Sequence, residues 1–384
     1  MEETPDTTDR SRGGEAPRSF RSAIVDRIRA GGNVLDLPHG RLMLPRVFGF
    51  CRGVERALEM LETACNEPSP GRLFLLGQII HNPWVNRYFA GRGVRILDEA
   101  EIARLEETVR AADTAVIPAF GVRPEVRRRL AAIGCRIIDT SCGDVRRLWA
   151  WARRAGKDGY GVLIFGRAQH DETVVTKSLL AEDGSRYVIA GDLEQVRLLG
   201  RMIAAEEDPS GFRRVFDAQS TNAENLEPFL RLAQVSQTTM LYDETIRVRE
   251  LISAAFARRF GDQAPEPMLF QPTVCRATQD RQAAAVELCR SGCELVIVVG
   301  GYGSSNTRHL YELAGQYAKA YFIEDASAIA SDRLLRTMDF ASGLPVEVSD
   351  WLPPARPLRV GVLAGASTPE SVVGQVLDRL AEFL

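Results

Sequence analysis

Cys51, Cys142 and Cys275 each close a short apolar run and open an amphipathic one. The runs are Val47-Phe-Gly-Phe-Cys51, Arg136-Ile-Ile-Asp-Thr-Ser-Cys142 and Met268-Leu-Phe-Gln-Pro-Thr-Val-Cys275. Three thiols placed alike in three segments point to one shared centre, because the thiolate is the metal-ligating form. Zinc prefers four protein ligands, commonly from paired C-x-x-C elements, and the chain has no C-x-x-C. A [4Fe-4S] cluster on three thiolates would leave one iron open to a substrate oxygen or water. The competing explanation is three ordinary buried thiols, a common fate of free cysteine, and matched placement argues against it. Cys65 and Cys135 have no counterparts in the other segments. Cys289 and Cys293, one helical turn apart, lack a further partner, so these four read as core thiols.

Polar groups repeat with the cysteines. Gly77, Gly166 and Gly300 end apolar runs about 25 residues after each cysteine, and His81, His170 and Ser304 stand at the fourth position beyond. Imidazole, hydroxyl and amide donors at such turns, with Ser305, Asn306 and Ser367, make a cradle for phosphate oxygens. His39 and His309 have no such repeat and read as structural. Glu172, two residues after His170, and Thr238, at the end of another apolar run, fit general acid catalysis. A helix-capping role is the alternative for Glu172. Gly301-Tyr-Gly303-Ser-Ser-Asn306 has Asn where a dinucleotide fingerprint needs its third glycine, so it reads as close backbone approach to an anion.

Elements that deliver these groups must alternate. Leu73–Gly77, Val162–Gly166 and Leu295–Gly300 are short apolar strands, each between helical patterns, which is the pattern of α/β units with ligands at strand carboxyl ends. The expected architecture is three similar α/β units in a pseudo-threefold trefoil around the shared centre. Their expected limits are 41–138, 139–265 and 266–384, after an N-terminal extension over 1–40 that is partly disordered. Residues 202–230 read as an elaborated surface loop or short helices. The length of 384 residues suits two or three domains, and 45% hydrophobic with 26% charged residues suits a globular chain. A net charge of -3 argues against a nucleic-acid or anionic-membrane partner. No apolar run reaches the roughly 18 residues of a membrane span. The polar, acidic first 20 residues lack a secretory core, and a cytoplasmic location is expected.

Ordered motifs from Val47 to the C-terminus resemble the 4-hydroxy-3-methylbut-2-enyl diphosphate reductase family, nearest its plant and cyanobacterial branch. They include Gly49-Phe-Cys51-Arg-Gly-Val-Glu-Arg, Ile79-Ile-His81-Asn-Pro, Gln169-His170-Asp-Glu172-Thr, Gln237-Thr-Thr-Met240, Cys275-Arg-Ala-Thr-Gln-Asp-Arg-Gln282, Ser304-Ser-Asn-Thr307 and Ala364-Gly-Ala-Ser-Thr-Pro369. The resemblance implies a [4Fe-4S] cluster on Cys51, Cys142 and Cys275. It implies diphosphate binding by His81, His170, Ser304, Ser305, Asn306 and Ser367, and proton delivery through Glu172 and Thr238. Two electrons and two protons would then remove the substrate hydroxyl as water, giving isopentenyl and dimethylallyl diphosphates. The implied electron donor is a reduced ferredoxin or flavodoxin. Alternatives are a paralogue acting on another allylic diphosphate and a non-catalytic iron-sulfur sensor. The chain departs from the family at Phe120, where many members carry a third diphosphate histidine. It departs again at Ser141-Cys142-Gly143-Asp144, where Asp144 would bring negative charge toward the centre.

Overall fold

The computed structural model describes residues 20–261, 268–340 and 342–384. The expected disordered tail falls outside them except at its last residue. Phe20 is 1% exposed, with its ring edge-on to Phe50 and Tyr88 at 5.4 and 5.1 Å. Apolar burial thus fixes the chain from Phe20 onward, and residues 23–30 form a helix.

Three sheets carry the architecture. In the first, Leu73–Leu76 lies between Arg95–Leu97 and Thr114–Ile117, with Arg136–Asp139 at the edge, all parallel. In the second, Gly161–Phe165 lies between Tyr187–Ala190 and Leu232–Ser236, again parallel. In the third, Leu295–Val299 lies between Lys319–Ile323 and Leu358–Ala364. The middle strands of the second and third sheets are buried along their whole length, as parallel strands covered on both faces must be. Helices cover them through apolar stripes. In Arg52–Asn66 the buried residues Val54, Ala57, Leu58 and Leu61 recur at helical spacing.

Sheet membership differs from the expected unit limits at two places. Gly40–Met43 pairs with Leu358–Ala364, and Val34–Leu37 pairs with Gly40–Met43, so this N-terminal hairpin completes the third sheet. Met268–Phe270 runs beside Leu232–Ser236 and belongs to the second sheet. Strands this short show their periodicity but not which distant edge they will join. Residues 202–230 do form short helices, yet Phe212, Phe216 and Phe229 are fully buried in the second core rather than lying on the surface. Among the described residues no helix is long and apolar enough to cross a membrane.

Candidate functional site: a thiol centre beside an anion cradle

Each sheet hands its chain to a helix at the same kind of turn. Cys51, Cys142 and Cys275 are the N-caps of three 15-residue helices, Arg52–Asn66, Gly143–Lys157 and Arg276–Arg290. A sulfur there faces free backbone N–H groups and the positive end of the helix dipole, which favours the thiolate. Cys275 shows the contact directly: its Sγ accepts the Thr278 N–H at 3.4 Å and lies 3.1 Å from Thr278 Oγ1. Burial acts oppositely, pushing the Cys142 and Cys275 thiols up from their ordinary value.

The sulfurs come from different units and stand together. A Cβ added at Gly53 would lie 2.7 Å from Cys142 Sγ and 3.9 Å from Cys51 Sγ, so the two sulfurs are at most about 6.6 Å apart. Only glycine leaves that space clear. Cys51 N donates to Ala366 O at 3.3 Å and Cys275 N to Thr238 O at 3.0 Å, which ties the first unit to the third and the third to the second. Among the described residues no three His, Cys, Asp or Glu side chains are close enough to hold a single metal ion. Two thiolates on one ion, each about 2.3 Å from it, would be within about 4 Å of each other.

A second ring of helix N-termini surrounds an adjoining space. Asn82, His170 and Ser304 cap Pro83–Gly91, Asp171–Glu182 and Ser305–Ala314. The rings of His81 and His170 meet edge-on at 5.3 Å. His170 Nδ1 accepts the Glu172 N–H at 3.3 Å, which leaves Nε2 as the protonated, donating nitrogen. That Nε2 and the Nε2 of His81 are both buried without a hydrogen-bond partner. Asp171 Oδ2, at 3.7 Å from His81 Nε2, is beyond hydrogen-bond reach. Burial lowers both imidazoles from their ordinary range, His170 to about 3, with the neighbouring His81 and Arg167 adding to it. Two neutral imidazoles with unpaired nitrogens are poised for an anion.

The remaining cradle residues are present and locked. Ser304, Ser305, Asn306 and Ser367 are between 4 and 8% exposed. Asn306 Oδ1 accepts Ala366 N–H at 3.0 Å, and Ser367 Oγ lies 3.5 Å from Ser304 Oγ. Gln237, whose role the sequence did not single out, binds the units together. Its Nε2 donates to Ser305 Oγ at 3.1 Å and to Thr239 Oγ1 at 2.7 Å, while its Oε1 accepts Arg167 N–H at 3.2 Å. In the loop after Gly300 a Cβ at Gly301 would lie 2.5 Å from His81 O, whereas one at Gly303 would meet nothing within 4 Å. His309 is buried, with Nδ1 2.7 Å from Thr239 O, in keeping with a structural role.

Glu172 is 3% exposed, and both of its carboxyl oxygens are engaged by Thr238. Thr238 N–H donates to its Oε1 at 2.6 Å, and Thr238 Oγ lies 2.5 Å from its Oε2. Burial pushes its carboxyl up to about 7, against the opposing pull of both Thr238 contacts. A carboxyl near half-protonation at neutral pH suits proton transfer. Phe120, at the expected third histidine position, stacks on His81 with 4.7 Å between centroids and 1° between planes. It contributes an aromatic wall and no donor. Asp144, expected to bring charge toward the centre, lines the same groove as Cys275 and forms an ion pair with Arg147. Cys135, Cys289 and Cys293 are buried core thiols, and burial pushes Cys289 to about 11 and Cys293 to about 12.

Three parallel-sheet units that turn helix N-termini, thiols and imidazoles toward adjoining inter-unit spaces define a trefoil α/β protein. The chain belongs to the LytB protein family, which matches residues 42–381. It is similar to the 4-hydroxy-3-methylbut-2-enyl diphosphate reductase of Gloeobacter violaceus, with 33% identity over 373 residues, 95% of this chain and 88% of that one. The Prochlorococcus marinus reductase of the same name is 33% identical over 372 residues, 95% and 91% of the two chains. A solved structure of (E)-4-hydroxy-3-methyl-but-2-enyl diphosphate reductase, the terminal enzyme of the non-mevalonate pathway, matches with a TM-score of 0.54. Its identity is 25%, over 89% of this chain and 99% of that one. The Plasmodium falciparum E-1-hydroxy-2-methyl-but-2-enyl-4-diphosphate reductase shares the fold, with a TM-score of 0.63 at 20% identity over 88% and 86% of the chains.

Proposed function

We propose that the protein is an iron-sulfur reductase that removes the hydroxyl of (E)-4-hydroxy-3-methylbut-2-enyl diphosphate as water. Two electrons and two protons are consumed, and isopentenyl and dimethylallyl diphosphates are formed. The observation that carries this reading is that cysteines cap matching helices in all three units and that two of their sulfurs converge on Gly53.

The donor set fits a cluster: three thiols at helix N-termini from three units, two of them beside a glycine that leaves room. Cys51, Cys142 and Cys275 would hold a [4Fe-4S] cluster. When bound, it supplies one-electron transfers and a Lewis-acidic iron with an open position. The chain's own residues anchor, orient and protonate. His81 and His170 offer their unpartnered Nε2 atoms to the diphosphate, joined by Ser304, Ser305, Asn306 and Ser367 around the N-terminus of helix Ser305–Ala314. An arriving diphosphate raises the proton affinity of both imidazoles, so their donors become charge-assisted. Glu172 Oε2 accepts the Thr238 Oγ–H and Oε1 accepts the Thr238 N–H, so Thr238 holds the carboxyl in one orientation for proton transfer. Burial of both residues keeps competing water away from that proton.

Electrons must arrive singly, which calls for a reduced ferredoxin or flavodoxin. A groove of about 510 Å³ lined by Asp144, Arg147, Arg154 and Arg276 reaches Cys275 from the surface and is the approach for such a carrier. The test is anaerobic turnover: protein with its cluster, a one-electron reductant and the hydroxylated diphosphate. Formation of both isoprenoid diphosphates is expected. A fully loaded protein that leaves the substrate unchanged would sink the reductase reading.

A further inference from the structure

Arg281 sits on the second turn of the helix that Cys275 caps and is 5% exposed. A buried guanidinium costs several kcal/mol in lost hydration unless compensated. Its Nη2 donates to Gly49 O at 2.6 Å, in the loop that delivers Cys51 from the first unit. Its Nη1 donates to Ala277 O at 3.0 Å within its own helix. The Nε is buried and has no partner. Asp280, its neighbour in sequence, pairs with Arg276 at 2.9 Å instead. Burial lowers the Arg281 guanidinium from its ordinary value, and the opposing pull comes first from the sulfurs of Cys51 and Cys275, ahead of Asp280 and Glu55.

We infer that Arg281 is a positioning residue for the thiol centre. It ties the Gly49–Cys51 loop to the Cys275 helix and fixes a positive charge between the segments that deliver two of the three sulfurs, which raises the reduction potential of the group they hold. The inference rests on the three-thiolate reading above. Reduction adds negative charge, and a nearby fixed cation stabilises the reduced state more than the oxidised one. The backbone tether to Gly49 O keeps that cation from relaxing away.

The test is the midpoint potential of the anaerobically loaded protein, followed by visible absorption, in the wild type, Arg281→Gln and Arg281→Lys. Arg281→Gln keeps a donor and loses the charge; it should make reduction at least tenfold less favourable, a shift of 59 mV to more negative potential for one electron. Arg281→Lys keeps the charge and should shift less. A wild-type potential in Arg281→Gln, or an equal shift in both variants, overturns the assignment. If Arg281→Gln binds no iron, Arg281→Lys decides: wild-type iron content and potential uphold the charge, and loss of iron there too leaves only the tether and overturns it. A wild-type protein without a cluster would instead overturn the underlying reading of the cysteines.

Discussion

Replacing Thr238 with valine removes the hydroxyl that lies 2.5 Å from Glu172 Oε2 and leaves the backbone contact to Oε1 in place. The volume change is small. The carboxylate loses a charge-assisted partner worth about 1.5–3 kcal/mol, and the protonated acid loses a neutral one worth about 1 kcal/mol. The difference, about 1 kcal/mol or somewhat more, corresponds to about one pKa unit, since each unit is about 1.4 kcal/mol. The Glu172 carboxyl, near 7 with Thr238 present, should therefore rise toward about 8. Protonated Glu172 is the active form, so the alkaline limb of the pH dependence of kcat should move up by about one unit. Its plateau should fall, because the hydroxyl no longer relays the proton. The assay is anaerobic turnover from pH 6 to 9 with iron content checked in parallel, and the infrared carboxyl band of the cluster-free protein gives an independent titration. A limb that stays in place, or moves to lower pH, would refute the coupling of Thr238 to Glu172.

Glu172→Gln should reduce kcat by about 10²–10⁴-fold with cluster content unchanged, and it should abolish the alkaline limb; an unaltered limb would assign that limb to another group. Pyrophosphate binding should take up protons at neutral pH, because His81 and His170 are held neutral in the free protein and favoured as cations beside the anion. Affinity should then fall as pH rises, and calorimetry in buffers of different ionisation enthalpy would contradict this by showing no uptake. Gly53→Ala sets a methyl 2.7 Å from Cys142 Sγ and should lower iron content sharply at little cost to folding, which parallel iron assays and thermal melts would check. Leu58→Ala, which empties a fully buried site on the Cys51 helix, should cost about 2–5 kcal/mol of stability by denaturant titration.

Much of this was legible because the chain repeats itself. An apolar run, a glycine and a capping residue recur three times, so Cys51, Cys142 and Cys275, and then His81, His170 and Ser304, could be aligned by counting. The placement of the N-terminal hairpin was not legible: nothing local in Val34–Leu37 or Gly40–Met43 directs them to Leu358–Ala364. Phe20 looked like the end of a polar tail, since its cage of Phe50, Trp84 and Tyr88 comes from later in the chain. Gln237 and Arg281 lie inside motifs that were noticed, yet their partners, Ser305 and Gly49, come from other units. Their polar character in an otherwise buried segment was the available signal. Phe120 read as a lost histidine; its stacking on His81 became visible only in three dimensions.

The central claim is that three cysteines from three units share one iron-sulfur cluster. Iron and acid-labile sulfide, measured per chain after anaerobic purification, test it most directly in the wild type, in Cys51→Ser, Cys142→Ser and Cys275→Ser, and in Cys289→Ser as a core-thiol control. The account predicts [4Fe-4S] stoichiometry in the wild type and in Cys289→Ser, with loss or conversion of the cluster in each of the other three. Full stoichiometry in any of those three, or none in the wild type, would contradict it.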